Sequence, residues 1–179
     1  MPRANASDLL VRYAEYHRDR RNIATHMVGI PMIVLSLGVL LARPVVAMGD
    51  WVVTPGWVAL GLAAVWWLTR GSLTLGLAVS AGSAVLVLLG QAVATAGTAA
   101  WLGWGLGLFA LGWTIQFLGH YYEGRKPAFM DDFTGLLIGP MFVAAEALFA
   151  AGWNLHLLHE IEHRAGPKFM RDLTVPATR

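Results

Sequence analysis

The chain has 179 residues, 56% of them hydrophobic and only 13% charged, whereas soluble domains carry about 25% charged residues. That is the composition of a single integral-membrane domain, 1–179, with a polar C-terminal tail at 153–179. A net charge of +2 and the absence of Cys leave no basic footprint for nucleic acid and exclude disulfides, cysteine–zinc sites and thiolate nucleophiles.

Residues 1–22 are polar, with Asp8, Glu15 and Asp19 among arginines. They lack the apolar core of a signal peptide, so the first apolar run is expected to act as its own insertion signal. Ser7 is placed to cap a first helix through Val11 to His17, with Asp8 in its first turn. Leu9, Leu10, Tyr13 and Tyr16 or His17 fall on one side, and Arg12, Glu15 and Asp19 on the other. This pattern predicts an interfacial amphipathic helix.

Four apolar runs follow. Met27–Ala42 is short of the roughly 20 residues a span needs, but can borrow from Asn22 upstream; Arg43-Pro44 ends it. Trp51–Thr69 has Pro55 in its first turn and Trp51, Trp57, Trp66 and Trp67 near its ends, where membrane interfaces favour Trp. Arg70-Gly71 closes it. No charged residue occurs from 71 to 119, too long a stretch for one helix. Gln91 and the small residues of 92–100 predict a turn between spans at about 72–90 and 100–118. The abundant small residues in these spans are read as helix-packing positions.

Phe133–Gly152 is apolar but holds Gly139-Pro140 and Glu146. Proline removes a helical hydrogen bond, and a carboxylate within a span is costly. The segment is expected to be broken or re-entrant. The tail from Trp153 is expected to begin as a helix before Gly166-Pro167. The predicted fold is all-α: a polytopic membrane bundle of about four transmembrane helices, an N-terminal amphipathic helix and that broken segment.

Basic residues cluster at the N-terminus (Arg12, Arg18, Arg20, Arg21), at Arg70, at Arg125 and Lys126, and slightly in the tail. The positive-inside rule then predicts a cytoplasmic N-terminus. An even number of spans returns His120 to the membrane face of His17 and His26.

His17 and His26 are nine residues apart, and at about 100° per residue they point to opposite sides of a straight helix. They can share a metal only if the chain bends, which the run Arg18–Asn22 allows. Asn22 and His26 are i,i+4 on one face, so Asn22 is suited to fix a histidine tautomer. Trp113, Gln116, His120 and Glu123 fall on one helical face. Glu123 is suited to act as ligand, acceptor or base beside His120. A single histidine among headgroups is unremarkable; three on one membrane face point to a site. In the tail, His156, His159 and His163 include an HExxH match, His159–His163, the pattern of zinc peptidases with a glutamate base. Downstream only Asp172 offers a third ligand. An exposed polar helix accounts for the match as well, and a non-catalytic membrane protein whose polar clusters tie helices together is the third alternative.

Two clusters carry a resemblance. Tyr13-x3-His17-x4-Asn22-x3-His26-x2-Gly29-x-Pro31 and Trp113-x2-Gln116-Phe117-x-Gly119-His120-x2-Glu123-x3-Pro127-Ala128, with Gly139-Pro140-x-Phe142 and Glu146, resemble the membrane 2-hydroxy-palmitic acid dioxygenases, the fungal α-oxidation enzyme and its bacterial relatives. The resemblance runs from about Leu10 to Gly152 and leaves out the tail histidines. It implies an Fe(II) cofactor, Fe(2+), and oxidation of a 2-hydroxy fatty acid by O2 to the acid one carbon shorter, CO2 and water. No co-substrate is needed, in keeping with a chain that has no nucleotide-binding loop. It implies His17, His26 and His120 as iron ligands, Glu123 as a fourth ligand or a group that supports the ligands from behind, and Asn22, Gln116 and Glu146 as residues that orient ligands or substrate. Arg20, Arg21 or Arg125 are placed to steer an anionic headgroup. The lipid bilayer is the expected partner; the host is a bacterial inner membrane or an ER membrane, with the site on the cytoplasmic face.

Overall fold

A computed structural model describes residues 5–43, 45–49, 51–70 and 72–175. Pro44, Asp50, Gly71 and Arg179, on which part of the expected boundaries and charge balance rest, lie outside the described residues. The described fold is all-α: α1 (Ala6–Ala14), α2 (Arg20–Leu40), α3 (Pro55–Leu68), α4 (Leu73–Ala94), α5 (Thr98–Glu123), α6 (Gly135–Ala150) and α7 (Leu155–Ala165). The minor additions are a 3-10 turn at Ala128–Met130 and a hairpin of β1 (Val46–Met48) and β2 (Trp51–Val53), paired antiparallel with Val46 opposite Val53.

Helices α2 to α5 run back and forth. The Gly56 amide donates to the Leu41 carbonyl at 3.0 Å, so α3 starts where α2 ends. The Arg70 carbonyl, just past α3, accepts from the Ala6 amide at 2.9 Å, so α3 ends beside α1. Arg43, past the end of α2, donates to the Ala94 carbonyl and to Thr98 Oγ1, which brings the α4–α5 turn to the far end. The chain therefore makes four passes between His26 and His120, the even number that brings both to one end. Three of the four helices, α2, α4 and α5, are long and apolar enough to cross a membrane. Helix α3 has only 14 residues, about 21 Å at the usual helical rise. The N-terminal part of the run predicted as its span forms β2 instead.

Close packing of α2 on α5 depends on glycine. A Cβ on Gly112 would lie 2.7 Å from Ile33 Cγ1 and 3.1 Å from the Gly29 carbonyl. Such contacts let helix backbones approach closely, as small residues do in lipid-embedded bundles. The turn between α4 and α5 falls at 95–97, inside the predicted stretch, with Gly97 at φ +101°.

Three local expectations are corrected. The cap of α1 is Asn5, whose Oδ1 accepts from the Asp8 amide at 2.8 Å; the Ser7 hydroxyl donates instead to Glu160 on α7. Helix α6 is unbroken through Gly139-Pro140. Pro140 sits early in the helix and deprives only the Leu136 carbonyl of its i+4 partner. Asp19, expected to face water, is fully buried, because it caps α2 and binds two arginines. Helix α6 packs its Ile138, Met141, Phe142, Ala145 and Phe149 into one core with Leu9, Leu10, Tyr13 and Ala14 of α1 and Leu157 and Ile161 of α7. The bulk of the tail is thus docked on the end of the bundle that carries the histidines.

Candidate metal centre

Helix α1 ends at Ala14, and α2 begins at Arg20 with the Asp19 carboxylate accepting from the Arg21 amide at 2.9 Å. The intervening turn is the bend that two histidines nine residues apart require. It places His17 and His26 ring to ring, with centroids 4.3 Å apart. Helix α5 returns His120 to the same point, with its ring centroid 5.0 Å from each of the other two. All three are buried, and one ring nitrogen from each lies within 4.8 Å of the others. Among the described residues, no other group of three metal-ligating side chains converges in this way.

Backbone carbonyls set the tautomers of two of these rings. His17 Nδ1 is 2.6 Å from the Tyr13 carbonyl, and His26 Nδ1 is 2.9 Å from the Asn22 carbonyl. A carbonyl only accepts, so each Nδ1 carries a proton. In the neutral rings both Nε2 atoms are then bare lone pairs, and they face each other at 3.0 Å. Two lone pairs at that distance repel unless a cation binds both. Protonating His17 would supply a hydrogen bond, but burial holds its pKa well below the ordinary value, as do the neighbouring His26 and His120 charges. Neutral imidazole is the metal-binding form. The Tyr13 ring stacks on His17 at 4.1 Å and fixes its plane. Tyr13 had no role assigned from sequence, although its i,i+4 spacing to His17 was the available signal.

Glu123 does not point its carboxylate into the cluster. It accepts from the Arg18 amide at 3.0 Å on both oxygens, from the Asp19 amide at 2.8 Å and from Asn22 Nδ2 at 3.0 Å. It clamps the end of α5 to the turn that bears His17. Asn22 Nδ2 also donates to the Tyr16 carbonyl, while its buried Oδ1 has no partner. Glu146 is paired with Lys168 of the tail at 2.6 Å. Arg21 is held by Asp19 and lies over the Tyr122 ring, Arg125 donates to the Glu15 carbonyl, and Arg20 is exposed.

His26 and His120 open onto a channel of about 300 Å³ between α2, α5 and α6. Ile30, Val34, Leu37, Phe109 and Trp113 line its length, and Gln116 joins the histidines as a polar group. The Gln116 amide is buried with neither its nitrogen nor its oxygen partnered, and the buried His120 Nδ1 is also unpartnered. Buried polar atoms without partners are rare and call for an explanation. Here they gather where a channel meets a histidine cluster.

The tail motif has no such convergence. His156, His159 and His163 are exposed on α7, and Glu160 is engaged by Ser7 and Arg164.

No curated protein and no solved structure matches the chain. The family model described as 2-hydroxy-palmitic acid dioxygenase Mpo1-like matches residues 4–151, a stretch that contains all three clustered histidines and the channel. The chain therefore belongs to the Mpo1-like family.

Proposed function

We propose that this protein is an iron-dependent dioxygenase that converts a 2-hydroxy fatty acid and O2 into the acid one carbon shorter, CO2 and water. The observation that carries this reading is the pair of facing Nε2 lone pairs of His17 and His26, with His120 beside them, at the polar end of an apolar channel. Three imidazoles suit Fe(II) and leave positions for substrate and O2. When bound, the iron supplies activation of O2 for the oxidation.

The chain's own groups hold and exclude. The Tyr13 and Asn22 carbonyls keep His17 and His26 in the tautomer that offers Nε2. The channel takes the acyl chain and keeps water from it. The Gln116 amide meets the 2-hydroxyl or carboxylate with its unused donor and acceptor. Glu123 fixes the distance between the His17 turn and α5, and Asn22 shares that clamp. Glu146 acts from outside the channel, through Lys168. Helices α2, α4 and α5 span the bilayer, α3 completes the even count, and the site lies at the cytoplasmic face of a bacterial inner membrane or an ER membrane.

The test is metal analysis of anaerobically purified protein, paired with O2 consumption on a 2-hydroxy fatty acid. Iron and O2 uptake are expected in the native protein, and both are lost in His17→Ala, His26→Ala and His120→Ala. His159→Ala and His163→Ala keep both. Loss confined to the tail variants overturns the proposal in favour of a zinc peptidase. A metal-free native protein, with all these variants silent, leaves a non-catalytic membrane protein.

A further inference from the structure

We infer that the segment 166–175, which lies outside the family match at 4–151, is a working part of the metal site, and that Arg171 is its positioning residue. The inference rests on the reading of the three histidines as a metal site.

The segment is stitched to the turn that carries His17. The Phe169 amide donates to the Arg18 carbonyl at 3.0 Å, and the Arg20 amide donates to the Phe169 carbonyl at 2.9 Å, forming a parallel bridge across Asp19. Arg18 Nη1 reaches back to the Gly166 carbonyl at 2.8 Å. Arg171 then joins both halves of the site. Its amide donates to Asp19 Oδ2 at 2.7 Å, two residues from His17. Its guanidinium donates through Nε to the Tyr122 carbonyl at 2.9 Å and through Nη2 to the Tyr121 carbonyl at 3.1 Å, the two residues after His120. Its carbonyl accepts from Arg21 Nη2 at 2.7 Å.

The physical need is clear. The turn 15–19 has no regular helix to hold it, yet it must keep the His17 imidazole within ligand distance of His26 and His120. Glu123 grips it from one side through its amides. Arg171 grips Asp19 from the other and ties it to the last carbonyls of α5. The arginine fork reaches two adjacent carbonyls at once; a lysine ammonium is a single point charge and cannot reproduce that geometry. Groups hydrogen-bonded directly to metal ligands change metal affinity by about 10- to 100-fold when removed; Arg171 acts one residue further out, through Asp19 and the Tyr121 and Tyr122 carbonyls, so the lower end of that range applies.

The test is Co(II) titration of the full-length protein in detergent, followed by the visible Co(II) bands. Arg171→Ala is expected to weaken Co(II) binding about tenfold or more and to change the bands, with helical content retained. Arg171→Lys is expected to restore only part of the affinity. Asp19→Asn, which keeps a good helix cap, is expected to weaken binding too, and the double variant should lose less than the sum of the two losses. Native affinity and native bands in Arg171→Ala overturn the inference alone, as does full rescue by Arg171→Lys. A native protein that binds no Co(II) or Fe(II) overturns the metal reading and the inference with it.

Discussion

Glu123 decides between two arrangements of the site. As a metal ligand, its replacement by glutamine would strip the metal and barely touch stability. As a clamp, its removal would loosen the His17 turn first. Glu123 accepts from two backbone amides and from Asn22, all buried. Hydrogen bonds to a charged acceptor contribute about 1.5–3 kcal/mol each, and each orphaned buried donor costs about 1–3 kcal/mol. These terms overlap, so Glu123→Ala, which orphans three buried donors, is expected to cost about 3–5 kcal/mol of stability. Glu123→Gln can keep its carbonyl on the oxygen that receives the Asp19 and Asn22 donors. It loses charge assistance and turns an NH2 donor toward the Arg18 amide in place of the second oxygen, and is expected to cost about 1–3 kcal/mol. Denaturant unfolding in detergent measures both, and iron content is read on the same samples. If Glu123→Gln unfolds like the native protein but has lost its iron, the clamp reading is wrong and the carboxylate is a ligand.

Two further changes probe the channel and the helix seam. Gln116→Leu removes a buried amide without partners, so the metal-free protein should gain about 1 kcal/mol; the KM for a 2-hydroxy fatty acid should rise about tenfold, measured by O2 uptake. Gly119→Ala places a methyl group against Thr25 Oγ1 and Asn22 Oδ1, and overpacking of this kind costs about 1–3 kcal/mol. Denaturant unfolding reads that cost, and the displaced Asn22 should lower iron content as well.

The residues that meet in the site were legible because helical periodicity is local. Asn22 with His26, and Gln116 with His120 and Glu123, are separated by one turn each, so their shared face follows from spacing. The bend between His17 and His26 followed from the same arithmetic. The parity of passes followed from the length of uncharged runs, and four passes do separate His26 from His120, even though α3 is shorter than its run. What could not be read were pairings set by distant chain. Asp19 looked solvated within a run of arginines, but the segment around Phe169 and Arg171, about 150 residues away, covers it and donates the Arg171 amide to a carboxylate that Arg21 already pairs. Glu146 looked like a carboxylate aimed at a site, but Lys168 holds it. The β1–β2 hairpin drew three residues, Trp51–Val53, out of an apolar run that has helical length, because apolar composition alone does not separate a strand from the start of a helix.

The distribution of unpartnered polar atoms argues that this end of the bundle was shaped for binding rather than for stability. Of six such buried side-chain atoms among the described residues, four belong to Asn22, Gln116 and His120. The facing Nε2 atoms of His17 and His26 add a repulsion that a pair of leucines would remove. A fold under pressure for stability alone would fill this volume with apolar side chains, as the adjoining core does with Ile138, Met141 and Phe142. The cost is carried by the surrounding structure: the Glu123 clamp, the Tyr13 stack and the docked tail hold the three rings in place. Preorganisation of that kind lets binding energy go to a ligand instead of to ordering the site.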